Sequence, residues 1–363
     1  MELTREDTQK AKGVAILGMV MLHLFCRLGD LPYTPLIWIG DIPLIYYLGL
    51  FGDICVPIYC FCSGYAHYLL KEKHETQYTK TIFQKLFRFL KHYWTVVVLF
   101  SLAGLLMRRG NGIPGSLAQF LGNVFLYRIN YNGAWWFVVT YVFLCALSPL
   151  LSRVVQRMRP LVVLSASGFV YLIAYLFRFK FILTFSNEWL NWGWQQLILL
   201  GTSQFGYLIG MVCRKECWIS QLRNITGFAA AKPNDRQIAW RVLVLLTPTA
   251  AFVGHCMVQS LGVAPFTAGA VLLSIFLSPL PVLVNRIFLF LGKHSTNIWL
   301  IHMFFYNGAL GWSVFSAQYP VFVLLLLLLI CIAVSVLINA LEKLWRNLRG
   351  KVSIYDQCHR SGL

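Results

Sequence analysis

The sequence predicts an all-α integral membrane protein, with about ten transmembrane helices in one bundle and both termini in the cytoplasm. Of its 363 residues, 58% are hydrophobic and only 12% are charged, whereas soluble domains carry about 25% charged residues. A net charge of +18 can indicate nucleic-acid binding. Here the basic residues lie in short segments between apolar runs, as the positive-inside rule describes. We therefore expect the lipid bilayer, and no nucleic acid, around this chain.

The apolar runs divide the chain into candidate spans separated by short polar segments. Ten spans are expected, at 12–28, 43–70, 90–107, 135–152, 161–178, 195–213, 241–257, 264–284, 286–308 and 319–341. Pro57 should kink the second span, and the weakly apolar residues 117–127 are either re-entrant or interfacial. We expect a transmembrane domain over 1–345 and a basic cytoplasmic tail over 346–363.

The distribution of basic residues supports this orientation. If the N-terminus is cytoplasmic and the spans alternate, 25 of the 31 lysines and arginines fall on the cytoplasmic side. The six outer ones are Arg27, Arg108, Arg109, Arg128, Arg178 and Lys180. Such an excess of inner positive charge is the signature of membrane topology.

The first span carries a cation at its start and a histidine well inside it. Lys12 and His23 are eleven residues apart, which on a helix is three turns plus about 20°, so they share one face about 16 Å apart. An intramembrane histidine is costly and is a functional candidate by default. The ordinary pKa of histidine, near 6.5, suits proton transfer from a hydroxyl. A hydrogen bond to a neighbouring helix is the alternative explanation.

Other polar residues are weaker candidates. Lys85, Arg88 and Lys91 share a helix face at the inner start of the third span, where they are either a seat for coenzyme phosphates or interfacial anchors. Asp53 is either an orienting partner of His23 or a solvated loop carboxylate. Ser63 lies beside a glycine typical of helix contacts.

Further candidates come from the aromatic residues and the remaining histidines. Trp135 and Trp136 fit an aromatic belt or a surface that stacks on glycans. His302 lies deep in the ninth span, so it and His23 could line one cavity, with Ser295 near the inner end. We interpret His67, His92 and His255 as interfacial. The ten cysteines lack zinc-ligand spacing, so they are expected to pack as small apolar residues, and no metal is expected.

These motifs together resemble the acyltransferase-3 family of membrane O-acyltransferases. The family's basic residue, ten residues and histidine match Lys12-x10-His23, with Lys in place of the usual Arg. Its Phe-Phe-x-x-Ser-Gly-Tyr/Phe signature resembles Tyr59-Cys-Phe-Cys-Ser63-Gly64-Tyr65.

Three later motifs follow in the family's order. The Arg-x-x-Arg-x-x-Pro element resembles Lys85-x-x-Arg88-x-x-Lys91, with Lys91 in place of Pro. The Trp-Phe pair resembles Trp136-Phe137. The Gly-Lys-x-Ser-x-x-x-Tyr-Leu-x-His motif resembles Gly292-Lys293-His-Ser295-Thr-Asn-Ile-Trp299-Leu-Ile-His302. The similarity runs from about residue 5 to residue 340, and no additional extracytoplasmic domain is expected after the last span.

The resemblance implies transfer of an acyl group, usually acetyl from cytoplasmic acetyl-CoA, to a hydroxyl of a cell-surface or lipid-linked glycan. It implies a multi-pass protein of the inner (cytoplasmic) membrane. His23 matches the family's essential histidine and would act as general base or as acyl relay, with Lys12 as its paired base. Coenzyme phosphates would dock on Lys12, Lys85 and Arg88.

The resemblance also implies which residues would contact the acceptor or line the cavity. Acceptor and cavity contacts would come from Asp53, Trp136, Ser63, Ser295 and His302. A proton-coupled transporter or exporter would also use intramembrane histidine and lysine, although no internal repeat of the kind many carriers show is visible. A non-catalytic partner of a glycan-assembly complex is a third alternative.

Overall fold

The computed structural model describes residues 2–107, 112–228, 230, 232–306 and 313–360, without the side chains of 345–346 and 348–360. The predicted outer bases Arg108 and Arg109 and the last three tail residues therefore lie outside the described residues. The described helices are α1 Arg5–Phe25, α2 Leu44–Phe51, α3 Cys55–Lys73, α4 Tyr78–Leu106, α5 Leu117–Val124, α6 Trp136–Arg157, α7 Pro160–Phe179, α8 Glu188–Lys215, α9 Trp218–Thr226, α10 Asp235–Val258, α11 Ala264–Leu277, α12 Val282–Tyr306 and α13 Pro320–Arg360. One small antiparallel hairpin, β1 Trp38–Ile39 and β2 Ile42–Pro43, precedes α2.

The prediction of an all-helical membrane protein is confirmed in its general form, because most of the described helices are long and apolar. Seven stretches of the described chain are long and apolar enough to cross a membrane: Leu44–Lys73, Glu75–Leu106, Gly133–Arg157, Pro160–Phe179, Glu188–Lys215, Asp235–Val258 and Pro320–Leu344. A bent pair, Leu261–Leu277 and Val282–Tyr306 at 119°, makes eight if it counts as one span.

Each of the ten predicted spans overlaps one described helix, but three of these helices, α1, α11 and α12, are not apolar or long enough by themselves. The helix α1 begins with charged turns that include Lys10 and Lys12. The helix α11 has 14 residues, about 21 Å at 1.5 Å per residue, which is shorter than the hydrocarbon core of about 30 Å. The difference between ten and eight therefore lies in α1 and in the α11–α12 pair.

Glycines let α1 lie directly against α12. A Cβ atom on Gly13 would overlap the backbone of Phe288, and one on Gly292 would overlap the carbonyl of Gln9. The side-chain amide of Gln9 also donates to the carbonyl of Leu289 at 2.8 Å. Small residues at such crossings allow backbones to approach closely in membranes. The contact brings the C-terminal ends of α1 and α12 side by side.

The helix α3 meets α8 in the same way. A Cβ atom on Gly64 would overlap the carbonyl oxygen of Tyr207, and one on Gly210 would overlap that of Phe61. The glycine of the Ser63-Gly64 motif is thus explained by helix packing, as the sequence indicated.

The second predicted span is interrupted before Pro57. A 3-10 turn, Gly52–Ile54, separates α2 from α3, and a Cβ atom on Gly52 would overlap the carbonyl of Gly18 in α1. Proline cannot donate a backbone hydrogen bond, and its ring displaces the carbonyl four residues earlier, which here is that of Asp53. The irregular turn places Asp53 inside the bundle.

The stretch predicted as re-entrant or interfacial contains the short helix α5. Eight residues span only about 12 Å, so α5 cannot cross the membrane. Its C-terminal carbonyls accept hydrogen bonds from two aromatic residues of α4: Tyr93 donates to Asn123 at 2.7 Å and Trp94 donates to Val124 at 3.0 Å. The segment is therefore fixed against the middle of α4.

The last helix passes through the predicted tail boundary. Helix α13 has 41 residues, or about 60 Å, roughly twice the hydrocarbon thickness. No break in α13 marks the boundary between 345 and 346 along the described backbone.

Candidate active site between α1 and α12

A pair of histidines joins the C-terminal ends of α1 and α12. Nδ1 of His23 lies 2.6 Å from Nε2 of His302, and the ring planes are within 3° of parallel. His302 is fully buried, whereas His23 is half-buried. The two candidates that the sequence placed in separate spans therefore form one dyad, and His23 is the member with accessible surface.

The backbone around His302 determines which nitrogen carries its hydrogen. Nδ1 of His302 lies 2.9 Å from the carbonyl of Trp299 and 3.1 Å from that of Ile298. Carbonyls only accept hydrogen bonds, so Nδ1 of His302 is the donor and its Nε2 keeps a lone pair when the ring is neutral. That lone pair accepts from Nδ1 of His23. In a neutral dyad, Nε2 of His23 is then left as the basic nitrogen.

Hydrogen bonds from the loop before α6 hold the turn of α12 that carries His302. Asn132 and the indole of Trp135 both donate to the carbonyl of Leu300, at 2.8 and 3.0 Å, and Trp299 donates to the carbonyl of Ala134 at 3.1 Å. The aromatic-belt interpretation is wrong for Trp135, which is fully buried, because the loop folds inward onto α12.

Lys12 lies three turns below His23 on the same continuous helix. It is half-buried, and its charge acts on the buried side chains of Cys62 and His67. Within the described part of the chain, no carboxylate pairs with Lys12. Its neighbour Lys10, by contrast, is paired with Asp7 at 3.0 Å. Lys12 is thus a cation in the interior face of α1 without a protein counter-ion among these residues.

The two other bases predicted to bind phosphate stand on the surface of α4. The charge of Lys85, like that of Lys12, acts on His67, so both cations lie on the side of the bundle that carries His67. Lys85 and Arg88 are both exposed. Only the charge of Lys85, and not that of Arg88, acts together with the charge of Lys12 on His67.

His67 belongs to a buried hydrogen-bond network and not to the interface. It is 5% exposed, and its Nδ1 lies 2.6 Å from the hydroxyl of Tyr207. Tyr207 donates to Ser148 at 2.8 Å, and the hydroxyls of Ser148 and Tyr78 are 2.6 Å apart. The interfacial interpretation is wrong for His67, because the face of α3 that carries it packs against α6 and α8.

The serines of the two signatures occupy different environments. Ser295 is 2% exposed and donates to the carbonyl of Gly292 one turn earlier at 2.9 Å. Ser63 is half-buried. His92 is half-buried as well, with its ring nitrogens 2.5 Å from Glu342 and 2.5 Å from Asn297.

A second buried pair, formed by a histidine and a carboxylate, joins the 3-10 turn Gly52–Ile54 to the last turn of α10. Asp53 is 6% exposed and His255 is 1% exposed, and Oδ2 of Asp53 is 3.4 Å from Nε2 of His255. The interpretations of Asp53 as a solvated loop carboxylate and of His255 as interfacial are both wrong. The turn Gly52–Ile54 directs Asp53 inward, and the last turn of α10 packs over it.

Trp136 lines the same cavity as Asp53, beside a base that the sequence did not single out. The guanidinium carbon of Arg178 is 5.3 Å from the centre of the Trp136 ring, and Arg178 also donates to Thr202 at 3.3 Å. The only sequence signal for Arg178 was its position as one of the few outer bases. Trp136 is half-buried, so it is the tryptophan of the pair that a ligand can contact.

Comparisons with known proteins agree with the resemblance in the motifs. A search of proteins with curated functions found no match, and neither did a search of solved structures. The family model described as an acyltransferase domain matches residues 11–340, nearly the whole chain. That stretch contains Lys12, His23 and His302. The chain therefore belongs to the acyltransferase-3 family.

Proposed function

We propose that the protein is an O-acyltransferase of the cytoplasmic membrane that transfers an acetyl group from acetyl-CoA to a hydroxyl of a cell-surface or lipid-linked glycan. Family membership supports a membrane acyltransferase in general; the donor, the acceptor and the residue roles are our proposal. The observation that carries it is the His23–His302 dyad, which leaves Nε2 of a half-buried histidine basic.

The chemistry follows from the tautomers of the dyad. Nε2 of His23 takes the proton of the acceptor hydroxyl while the hydroxyl oxygen forms a bond to the thioester carbonyl carbon. The carbon–sulfur bond then breaks, and the leaving thiolate takes the proton back from the His23 imidazolium. Nε2 of His302 accepts a hydrogen bond from Nδ1 of His23 throughout, which stabilises the imidazolium and fixes the ring orientation.

An acyl-imidazole is the alternative route. Nε2 of His23 attacks the thioester carbonyl and releases the thiolate, and the acceptor hydroxyl then attacks the acyl-imidazole. Both routes need the same free nitrogen and the same partner, His302. They differ in whether the protein carries the acyl group between two half-reactions.

The donor would enter from the inner side. Lys12 has no described counter-ion, and phosphates are strong acceptors for such a cation. The separation of about 16 Å along α1 between Lys12 and His23 requires an extended donor with phosphates at one end and a thioester at the other, as in a coenzyme A thioester. Lys85 and Arg88 would bind the remaining phosphates from α4.

The acceptor would enter from the outer side, past Trp136 and Asp53, with Ser63 and Ser295 lining the interior. This arrangement uses the ten-span topology with both termini inside, which places Lys12 in the cytoplasmic half and His23 beyond the midpoint. No observation favours a transporter, and membership of an acyltransferase family gives that alternative no support.

The test compares membranes that contain wild type, His23→Ala or His23→Gln, supplied with radiolabelled acetyl-CoA. Label on extractable and lipid-linked glycan is expected with wild type and absent with both variants at equal protein level. The control is His74→Gln, an exposed histidine at the end of α3, which should label like wild type. Equal labelling in all four proteins would show that His23 is not the reacting base.

A further inference from the structure

A cavity of about 120 Å³, here named the polar cavity for the charged groups in its wall, lies against the face of α1 that carries Leu22, the residue before His23. Asp53 contributes a carboxylate to its wall, Arg178 a guanidinium, and Thr202 and Ser203 a hydroxyl each. The rings of Trp136 and Tyr171 also line it. The cavity therefore combines polar groups of both signs with aromatic faces.

The polar groups in this wall are only partly satisfied by the protein. Among the described residues, neither carboxylate oxygen of Asp53 makes a hydrogen bond, although Oδ2 lies 3.4 Å from Nε2 of His255, and the hydroxyl of Ser203 makes none. Both side chains are more than nine-tenths buried. Native proteins rarely leave buried polar atoms unpaired, so such groups at a cavity indicate a ligand that pairs with them. The missing partners of Asp53 are hydrogen-bond donors.

An apolar cavity of about 160 Å³ continues from the polar one. The two share three wall residues, Pro57, Gly206 and Pro265. The second cavity runs between α3, α8 and α11 towards α9, lined by side chains such as Phe61, Ile209 and Leu272. Gly269 opens its wall, since a Cβ atom there would meet nothing within 4 Å.

We propose that the two cavities form one binding site for an amphiphile with a hydroxyl-rich, sugar-like head and an alkyl chain. Two neighbouring hydroxyls of the head donate to Asp53, another hydroxyl accepts from Arg178, and the ring stacks near Trp136 and Tyr171. The chain lies beside Gly269. The role of this ligand as acyl acceptor rests on the proposed function, and it narrows the acceptor to a lipid-linked sugar.

Binding can be measured without any acyl donor. The probe is octyl β-D-glucopyranoside with a diazirine in its alkyl chain, added to the full chain in lipid nanodiscs. Photolabelled peptides are mapped by mass spectrometry, and labelling is followed against probe concentration. The variants are Asp53→Leu, which keeps the size and removes both acceptors, and Gly269→Phe, which fills the apolar cavity.

Matched controls exist for both variants. Asp41→Leu removes an exposed outer carboxylate, and Gly254→Phe adds the same ring to α10 at a glycine that also has open space around it. We expect label on α8 and α11 in wild type. The half-saturating concentration should rise at least about tenfold in Asp53→Leu, which loses both carboxyl oxygens as hydrogen-bond partners, and in Gly269→Phe. The controls should stay within about twofold of wild type.

Two results would overturn the inference: Asp53→Leu binding the probe as Asp41→Leu does, or label distributed outside the two cavities. The matching diazirine alcohol, which lacks the sugar, should label more weakly and show no dependence on Asp53. If the glycoside binds as described but His23→Ala still transfers acetyl, the proposed function alone fails. If acetyl transfer depends on His23 but the binding of the glycoside does not depend on Asp53, the proposed amphiphile site fails and the proposed function does not.

Discussion

Nδ1 of His23 and Nε2 of His302 lie 2.6 Å apart, although the two residues are 279 positions apart in the chain. This distance depends on the close packing of α1 against α12, which the glycines Gly13 and Gly292 permit. Hydrogen bonds from Asn132 and Trp135 hold the helical turn that carries His302. The orientation of the His23 ring is therefore set by a partner on another helix and by a loop between two further helices.

The first prediction concerns His302 as the positioning residue of His23. His302→Leu removes the acceptor for Nδ1 of His23, so the ring can rotate and exchange its tautomers. We expect kcat for acetyl transfer to fall about 10–100-fold, as is typical when the hydrogen-bond partner that orients a functional histidine is lost. The KM for acetyl-CoA should change little. His302→Gln restores a carbonyl acceptor and should recover part of kcat.

The control is His294→Leu, which removes another buried histidine of α12. His294 is hydrogen-bonded to Ser335 at 2.8 Å, so its loss should lower the thermal unfolding temperature without a comparable drop in kcat. A His302→Gln variant no more active than His302→Leu would mean that His302 does not act as a hydrogen-bond acceptor.

The second prediction concerns donor binding at Lys12. Lys12→Ala removes a cation that has no described counter-ion, and KM for acetyl-CoA should rise about tenfold or more, with kcat nearly unchanged. Lys12→Arg keeps the charge and should stay close to wild type. Added salt should weaken donor binding in wild type more than in Lys12→Ala.

Lys10→Ala is the matched control, since Lys10 is on the same helix, about 160° away from Lys12, and is paired with Asp7. Its KM should remain that of wild type. A larger effect from Lys10 than from Lys12 would place the phosphates on another face of α1.

Sequence reasoning found the helices and both histidines of the dyad because these features depend on local properties. Long apolar runs predict membrane helices wherever they occur, and a histidine inside such a run is unusual by itself. Both candidates of the dyad were visible in this way. Their hydrogen bond was not, because nothing in the spacing of His302 shows which helix α12 packs against.

The residues around Asp53 show more clearly what could not be predicted from the sequence. Asp53 resembled a loop carboxylate because it lies next to Gly52 between two apolar stretches, and only the 3-10 turn at that point directs it inward. His255 and Arg178 were ordinary span-end residues in the sequence. Their proximity to the polar cavity depends on how α7 and α10 pack against distant helices, and local patterns carry no information about that.

The third prediction tests the contact between α3 and α8. In Gly64→Ala the new Cβ would overlap the carbonyl oxygen of Tyr207, a backbone atom that cannot rotate away. We expect a loss of about 1–3 kcal/mol or more in the free energy of unfolding, the usual cost of overpacking, and a lower unfolding temperature in detergent.

Gly254→Ala provides the comparison, because its Cβ would meet nothing within 4 Å. Alanine in the middle of a helix is favoured over glycine by about 0.5–1 kcal/mol, so this variant should be as stable as wild type or slightly more stable. Equal stability of the two variants would contradict the close α3–α8 packing.

The fourth prediction is a pH dependence at the N-terminus. Glu2 accepts hydrogen bonds from the hydroxyl of Tyr65 at 2.6 Å and from the backbone N–H of Ser220 at 3.0 Å. Burial raises the pKa of Glu2, but these hydrogen bonds outweigh it and hold the pKa below its ordinary value of 4.5. A carboxyl whose folded pKa is lowered stabilises the protein above its unfolded pKa and loses that contribution as the pH falls through the folded pKa.

Glu2→Gln should therefore be less stable than wild type near neutral pH, by about 1 kcal/mol for a partly exposed charge-assisted pair. The gap in unfolding temperature should shrink as the pH falls below 4.5, since wild type then loses the same carboxylate by protonation. Glu6→Gln, an exposed carboxyl in the first turn of α1, controls for the loss of one negative charge. A gap for Glu2→Gln that stays constant across this range would show that the carboxylate form of Glu2 does not tie the N-terminus to α3 and α9.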